Sequence, residues 1–176
     1  MQEEIYSLGD QLSVLIFEID GEQFAINTYD TKEIIKAGQI RRLPQSYDFI
    51  EGIYNYRGEI IHIINLSKKL NLQQYKIIYN KNVDDNYNGQ KKFIIIVNIN
   101  NVSTGFLVDK IIDIANIGID LIEALGPIFQ TSVGIDYIKG IIKFKDRSRI
   151  LLDMSKILSE IEQINVQKEQ TIIKKT

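Results

Sequence analysis

The segment from Phe49 to Leu70 lies without a gap on the segment from Tyr137 to Leu158. FIEGIYNYRGEIIHIINLSKKL and YIKGIIKFKDRSRILLDMSKIL match Gly52 with Gly140, Ile53 with Ile141, and Ser67-Lys68 with Ser155-Lys156. Apolar positions coincide across both β-type runs, and Asn65 meets Asp153 where a helical turn needs a capping side chain. Such a repeat is one supersecondary unit used twice, each copy too small for a deep core unless it packs on its twin. With 44% hydrophobic residues among 176, the chain can fill one good-sized core or two small ones.

The remaining punctuation is that of a β protein. Val14 to Ile19 and Glu22 to Asn27 flank Asp20-Gly21, a strong hairpin signal in which Gly21 takes the left-handed backbone. Asp30-Thr-Lys-Glu33, running into Ile34-Ile35 and stopping at Gly38, predicts a short capped helical turn. Pro44 and Gln45-Ser46 make a corner. Ile53 to Tyr56 and Glu59 to Ile64 form a second hairpin closed at Arg57-Gly58, and Asn65 caps a helical turn over Leu66 to Leu70. The polar run Gln73 to Lys92 reads as an exposed connection, after which Phe93 to Ile99 and Thr104 to Ile111 give another strand, turn and strand. Gly52 and Gly140 start the repeated hairpins, where a side chain should strain the backbone. The prediction is a mainly β domain of two small barrels over 12–158, between an N-terminal segment 1–11 and a polar tail 159–176 that is a frayed helix or disordered.

Catalytic chemistry finds little to work with. The single histidine, His62, alternates with Ile60 and Ile64 on a strand and reads as partly buried, with no serine placed to pair with it. Asp109, Asp113, Asp136 and Asp153 sit where strands end or helices need caps, so capping outweighs acid–base work. Without cysteine, a phosphate loop or a metal-spaced cluster, no disulfide, cofactor or metal is expected. Met1 to Asp10 lacks a secretory pattern and no apolar run is long enough to cross a bilayer, so a cytoplasmic protein without direct membrane insertion is expected.

A nucleic-acid-binding barrel is the main alternative. Lys139, Lys143, Lys145, Arg147 and Arg149 crowd one hairpin beside Tyr137 and Phe144. Against it, the formal net charge is -2, and a local charge run is more often a solvated face. Protein binding remains. Arg57 stands at a tight turn with Gly58 supplying positive φ and Asn55 a local hydrogen-bonding side chain just before it, a tip that projects a planar cation from a rigid sheet.

In order along the chain, FEIDGEQFAI, KEI, a proline, FIEGIYNYRGEIIHIINL, GFLVDKIIDI and DYIKGIIKFKDRSRILLDMSKIL resemble the successive motifs of the chemotaxis coupling protein family, CheW. The likeness runs from about Leu12 to Leu158, and Gly-Ile-x-Asn-x-Arg-Gly-x-Ile-Ile is its most specific part. It implies two SH3-like five-stranded barrels packed together with a groove between them. It also implies a non-enzymatic scaffold joining the cytoplasmic tips of methyl-accepting chemoreceptors to the regulatory domain of a CheA-type histidine kinase, recruited to membrane receptor arrays.

The family arginine falls on Arg57 and the glutamate of its Glu-Ile step on Glu33, at the rim of a receptor-facing groove. Ile34, Asn55, Gly58, Phe106 and Val108 complete the expected receptor-binding set, with Ile26 among the groove's apolar lining. Proline is usual in the family at His62 and aspartate at Asn65. On length, a related coupling protein fused to a receiver domain, of the CheV type, is not expected, and a CheW-like adaptor of a pathway other than chemotaxis has the same motifs.

Overall fold

The computed structural model describes residues 10–44, 46–72, 92–126 and 135–162. The connection expected over 73–92 lies outside these apart from Lys92, as does the tail beyond 162.

The first hairpin forms where Asp20-Gly21 predicts it. Strand β1 (Gln11–Ile19) pairs antiparallel with β2 (Glu22–Asn27), and Asp20 and Gly21 take φ of 53° and 81°. The capped turn then comes early. Asn27, whose side chain accepts from Tyr29 N, caps a single 3-10 turn over Thr28–Asp30. Thr31–Lys36 is not helical but a strand, β3. Three acidic and basic side chains on TKEIIK suggest a capped turn, but the ladder to β6 (Phe93–Ile99) wins, with Glu33 opposite Ile96 and Ile34 opposite Ile95.

Strands β4 (Ile50–Tyr56) and β5 (Glu59–Asn65) make the second hairpin, and Asn65 caps α1 (Leu66–Lys69) by accepting from Lys68 N. Strand β7 (Val102–Val108) ends earlier than its apolar run suggests, because Asp109 breaks it: its carboxylate accepts from Asp20 N at 2.7 Å. A new strand, β8 (Lys110–Gly118), begins on the next residue. A 3-10 turn over Ile119–Leu121 leads to β9 (Ile122–Glu123), then β10 (Ile138–Lys143) and β11 (Ser148–Leu152). The last element among the described residues is α2 (154–162), which Asp153 caps by accepting from Lys156 N at 3.0 Å. It continues four residues past the expected boundary at Leu158.

The fold is mainly β, and its strands form a six-stranded sheet ordered β8-β1-β2-β11-β10-β9 and a five-stranded sheet ordered β3-β6-β7-β5-β4. Five strands in each were expected; the sixth is the two-residue β9. The five-stranded sheet is one continuous stretch, Thr31 to Val108, whereas the six-stranded sheet draws β1 and β2 from one end of the chain and β8 to β11 from the other. Its outer strands β8 and β9 are consecutive in sequence, separated only by the three-residue turn.

The repeat survives in fine detail. The β4–β5 ladder shifts register between Ile50 and Gly52, and the β10–β11 ladder shifts between the matched residues Ile138 and Gly140. Strand β5 then pairs parallel with β7, as β11 does with β2.

Apolar runs rather than strict alternation mark strands buried on both faces. Val14, Ile16, Ala25, Ile142 and Leu151 form one cluster, and Tyr56, Ile61, Ile63, Ile94 and Ile96 another. Between them lies the largest cluster, in which Leu15, Phe17, Phe24 and Ile26 from one sheet meet Ile64, Ile95, Val97 and Phe106 from the other. Successive residues of β1 thus point alternately into the cluster special to its sheet and into the shared one.

Candidate functional site: a charged rim and its apolar counterpart

Type I′ geometry dictates the tip of the β4–β5 hairpin. Both Arg57 and Gly58 are left-handed, with φ of 50° and 83°, and Asn55 Oδ1 accepts from Gly58 N at 3.0 Å. A left-handed arginine costs roughly 1 kcal/mol relative to glycine or asparagine at the same place, the kind of local strain that gathers at functional positions.

The guanidinium is anchored without being buried. Arg57 Nη2 lies 2.9 Å from Glu33 Oε2 on neighbouring β3, while the side chain stays 72% exposed. Its Cζ sits 5.4 Å from the centre of the Tyr56 ring, and the Tyr56 hydroxyl donates to Glu33. Lys32 Nζ covers the same ring at 5.6 Å. The hydrogen bond to Glu33, with burial behind it, raises the Tyr56 phenol above its ordinary pKa of 10.0 against the pull of Arg57. One carboxylate therefore organises a phenol and a guanidinium into a fixed rim that presents a cation to solvent.

Glu33 and Arg57, far apart in sequence, are thus brought into contact, with Asn55 and Gly58 beneath them. Ile34 is half-buried beside Glu33 and packs on the shared core. Tyr56 and Lys32 were missed, although the aromatic directly before the arginine was a usable signal. Phe106 and Val108 do not belong at the rim. They are 0% and 1% exposed in the shared core, as is Ile26, so they offer nothing to a groove. The reason is two-sided burial of β2 and β7, which a groove-lining assignment mistakes for one open face.

The other sheet has a counterpart, reached by following the ladders outward from the repeat. Ile63 pairs with Gly105, Gly105 with Ile96, and Ile96 with Glu33. Its matched residue Leu151 pairs with Ala25, Ala25 with Ile16, and Ile16 with Asp113. Asp113 therefore stands where Glu33 stands, Phe144 where Tyr56 stands and Lys145 where Arg57 stands. The chemistry differs: flanking Asp113, Ile112 and Ile114 are 41% and 59% exposed on β8. Ile112 is the extra residue of the register shift in β8 and Ile114, opposite Leu15, is left uncovered, neither of which shows in a sequence that reads as one more apolar run.

Two other expectations change. His62 is exposed rather than partly buried, because its stretch of β5 lies beyond the cover of the other sheet, as does Ile60 at 59% exposure. The basic hairpin is largely neutralised from within. Arg149 is 7% exposed, forks onto Asp146 at 3.0 and 2.9 Å and donates to Gln23 at 2.8 Å. Its guanidinium stacks 4.6 Å from the Phe144 ring, Lys143 pairs with Glu123 at 2.6 Å, and Arg147 reaches Asp146 at 3.8 Å. Basic side chains paired so closely make a poor phosphate track.

Gly52 and Gly140 each lie against a neighbouring backbone: a Cβ would come 2.2 Å from Arg41 O in one and 2.8 Å from Glu123 O in the other. Gly21, at its turn, has open space around it. Among the described residues no helix is long and apolar enough to span a membrane, and no group of metal-ligating side chains converges.

Known proteins share this architecture and these motifs. The profile of the CheW-like domain family matches residues 13–162. The chemotaxis protein CheW of Thermotoga maritima is 32% identical over 155 residues, covering 86% of this chain and 90% of that one. That of Treponema pallidum is 29% identical, covering 87% and 85%. The crystal structure of the scaffolding protein TtCheW from Thermoanaerobacter tengcongensis superposes with a TM-score of 0.66 at 28% identity, covering 81% of this chain and 84% of that one.

Proposed function

The chain belongs to the CheW-like domain family, and from that membership and the Glu33–Tyr56–Arg57 rim we propose that it is a non-enzymatic scaffold coupling chemoreceptors to a CheA-type histidine kinase. On this reading each sheet is an SH3-like barrel. One bent strand closes it: β8 runs into β9 on one side, and on the other β3 leads to Arg41, which bridges to Ile53. The chain works in the cytoplasm, drawn to receptor arrays at the membrane by its partners.

The observation that carries the proposal is the preorganised cation. A left-handed arginine held by a carboxylate and an aromatic face while remaining 72% exposed is built to meet something outside the chain. The receptor's helical hairpin tip is apolar with polar edges in this account. Arg57 and Glu33 fix its register, and half-buried Ile34 with exposed Ile112 and Ile114 supplies apolar contact in place of the buried Phe106 and Val108. The kinase's regulatory domain takes barrel surfaces away from the rim, so both partners bind at once.

Calorimetric titration with a receptor hairpin fragment and with the kinase regulatory domain tests this. Arg57→Glu sets two carboxylates together at the rim and should weaken the receptor fragment by about tenfold or more while leaving the kinase domain's affinity and the circular dichroism unchanged. Unaltered receptor binding by the folded variant overturns the assignment.

A further inference from the structure

At the base of the repeated hairpins, far along β4 from the Arg57 tip, a lysine is held between twin rings. Lys69, the last residue of α1, is 7% exposed at its side chain, and its Nζ lies 4.9 Å from the centre of the Phe49 ring and 5.2 Å from that of Tyr137. The two aromatics are matched residues of the repeat. Each accepts through its carbonyl a hydrogen bond from the N–H of a helix-capping residue, Phe49 from Asn65 at 2.7 Å and Tyr137 from Asp153 at 2.8 Å.

The charge completes a bridge. Lys69 Nζ donates to Glu160 Oε1 at 2.8 Å, and the Tyr137 hydroxyl donates to the other oxygen of the same carboxylate. Lys69 and Phe49 belong to the continuous unit, Tyr137 and Glu160 to the unit assembled from the chain ends. The repeat partner of Lys69 is Ile157, wholly buried at 0% exposure, so the cation breaks the symmetry between the two repeats at the seam, which Ser67 also crosses by donating to Asp20.

Apolar contact across that seam is non-directional and tolerates a slide or a small rotation of one sheet over the other. Hydrogen bonds to a carboxylate and two aromatic faces around one ammonium do not. With Lys69 buried and Glu160 still 44% exposed, the pair adds little net stability over apolar groups of like volume, so its effect is felt in which geometry is chosen. We infer that Lys69, Tyr137 and Glu160 form a joint that sets the angle between the two sheets, and with it the spacing between the Glu33–Arg57 rim and the Ile112–Ile114 surface. The importance of that spacing for binding rests on the scaffold reading above; the joint itself does not.

The chain contains no cysteine, so spin labels can be placed uniquely, at His62→Cys on β5 and Ser148→Cys on β11, both exposed. Pulsed dipolar spectroscopy should give one narrow distance. In K69M/Y137F/E160L, which removes every polar group of the joint together, the melting temperature should stay within a few degrees of the labelled parent while the distance broadens or shifts. Affinity for the receptor hairpin fragment should fall about tenfold with it.

An unchanged narrow distance in this folded variant overturns the joint. A broadened distance with undiminished receptor affinity upholds the joint and overturns the functional reading. Should the triple variant not fold, Glu160→Gln decides, since it keeps the shape and removes the charge: a distance as narrow as the parent's rejects the inference, and a broadened one supports it.

Discussion

Replacing Gly52 by alanine should break the bridge that Arg41 makes to Ile53 on β4. The new Cβ would stand 2.2 Å from Arg41 O and 2.7 Å from Arg41 C, both backbone atoms that cannot rotate aside. Arg41 is held there by two hydrogen bonds, Arg41 N to Ile53 O at 2.9 Å and Ile53 N to Arg41 O at 2.8 Å. Separating the strands forfeits both, at about 1 kcal/mol each. Gly52 also has φ of +156°, a region nearly reserved for glycine, which adds about 1–2 kcal/mol for alanine. The sum is about 3–4 kcal/mol, or a fall of roughly 6–16 °C in melting temperature for a chain of this size.

Gly140 provides the internal control. There the Cβ would meet Glu123 O at 2.8 Å and the Ile122 methyl at 2.9 Å, so a smaller backbone shift suffices and about half the loss is expected. Thermal and urea unfolding of both variants by circular dichroism measures the pair. A loss under about 1 kcal/mol for Gly52→Ala, or a larger one for Gly140→Ala, refutes the steric account.

The ion pair at the seam gives a pH signature. Its hydrogen bonds to Lys69 and Tyr137 hold the Glu160 carboxyl below the ordinary 4.5 against burial, so its contribution is whole above pH 4.5 and lost as pH falls through the lower folded value. Glu160→Gln should therefore differ in stability from the parent at neutral pH and converge on it in acid, read from urea midpoints across the range. Burial alone would lower Lys69, but hydrogen bonds to Glu160 and Tyr137 raise it above 10.5, so its share is present below that pH and lost as pH climbs through the folded value. Elsewhere, Arg149→Ala strips partners from Asp146 and Gln23 beneath a 7%-exposed guanidinium and should lower the melting temperature more than Lys143→Ala, whose pair with Glu123 is over half exposed on both sides. Equal effects would show that burial of the Arg149 fork counts for nothing.

Much of this was legible in the chain because the deciding signals are local. Asp20-Gly21 and Arg57-Gly58 name their own turns, and Asn65 and Asp153 name the helices they cap. The repeat is readable because two copies must bury the same faces. What escaped was set by pairings between distant segments. Thr31–Lys36 can form a capped turn in isolation and becomes a strand only because β6 lies beside it. Phe106 and Val108 look like lining residues until both faces of β7 are known to be covered. Ile112 and Ile114 read as one more apolar run until Ile112 is seen to be the extra residue of the shift in β8 and Ile114, opposite Leu15, to be left uncovered. The rim was half readable: motif likeness picks out Glu33 and Arg57, but their contact depends on β3 leaving the first sheet for the second.

That departure has a mechanical consequence. Strand β3, carrying Glu33, is joined to β2 of the opposite sheet through only Thr28–Asp30, and β8, carrying Ile112 and Ile114, is joined to β7 of the opposite sheet through Asp109 alone. Asp109 is fixed in turn: its N–H donates to Glu18 O at 3.0 Å and its carboxylate accepts from the N–H of Asp20 at the β1–β2 turn. Each surface proposed to bind a partner therefore lies on a strand covalently tethered to the sheet it does not belong to. A load applied to either strand reaches both sheets within three residues, which two independently folded barrels on a flexible linker could not achieve. For a protein proposed to keep two partners in fixed relation, the exchange of strands and the lysine joint at the seam serve one end: both make the angle between the sheets a property of the backbone and of directional bonds, and leave the apolar core to supply cohesion.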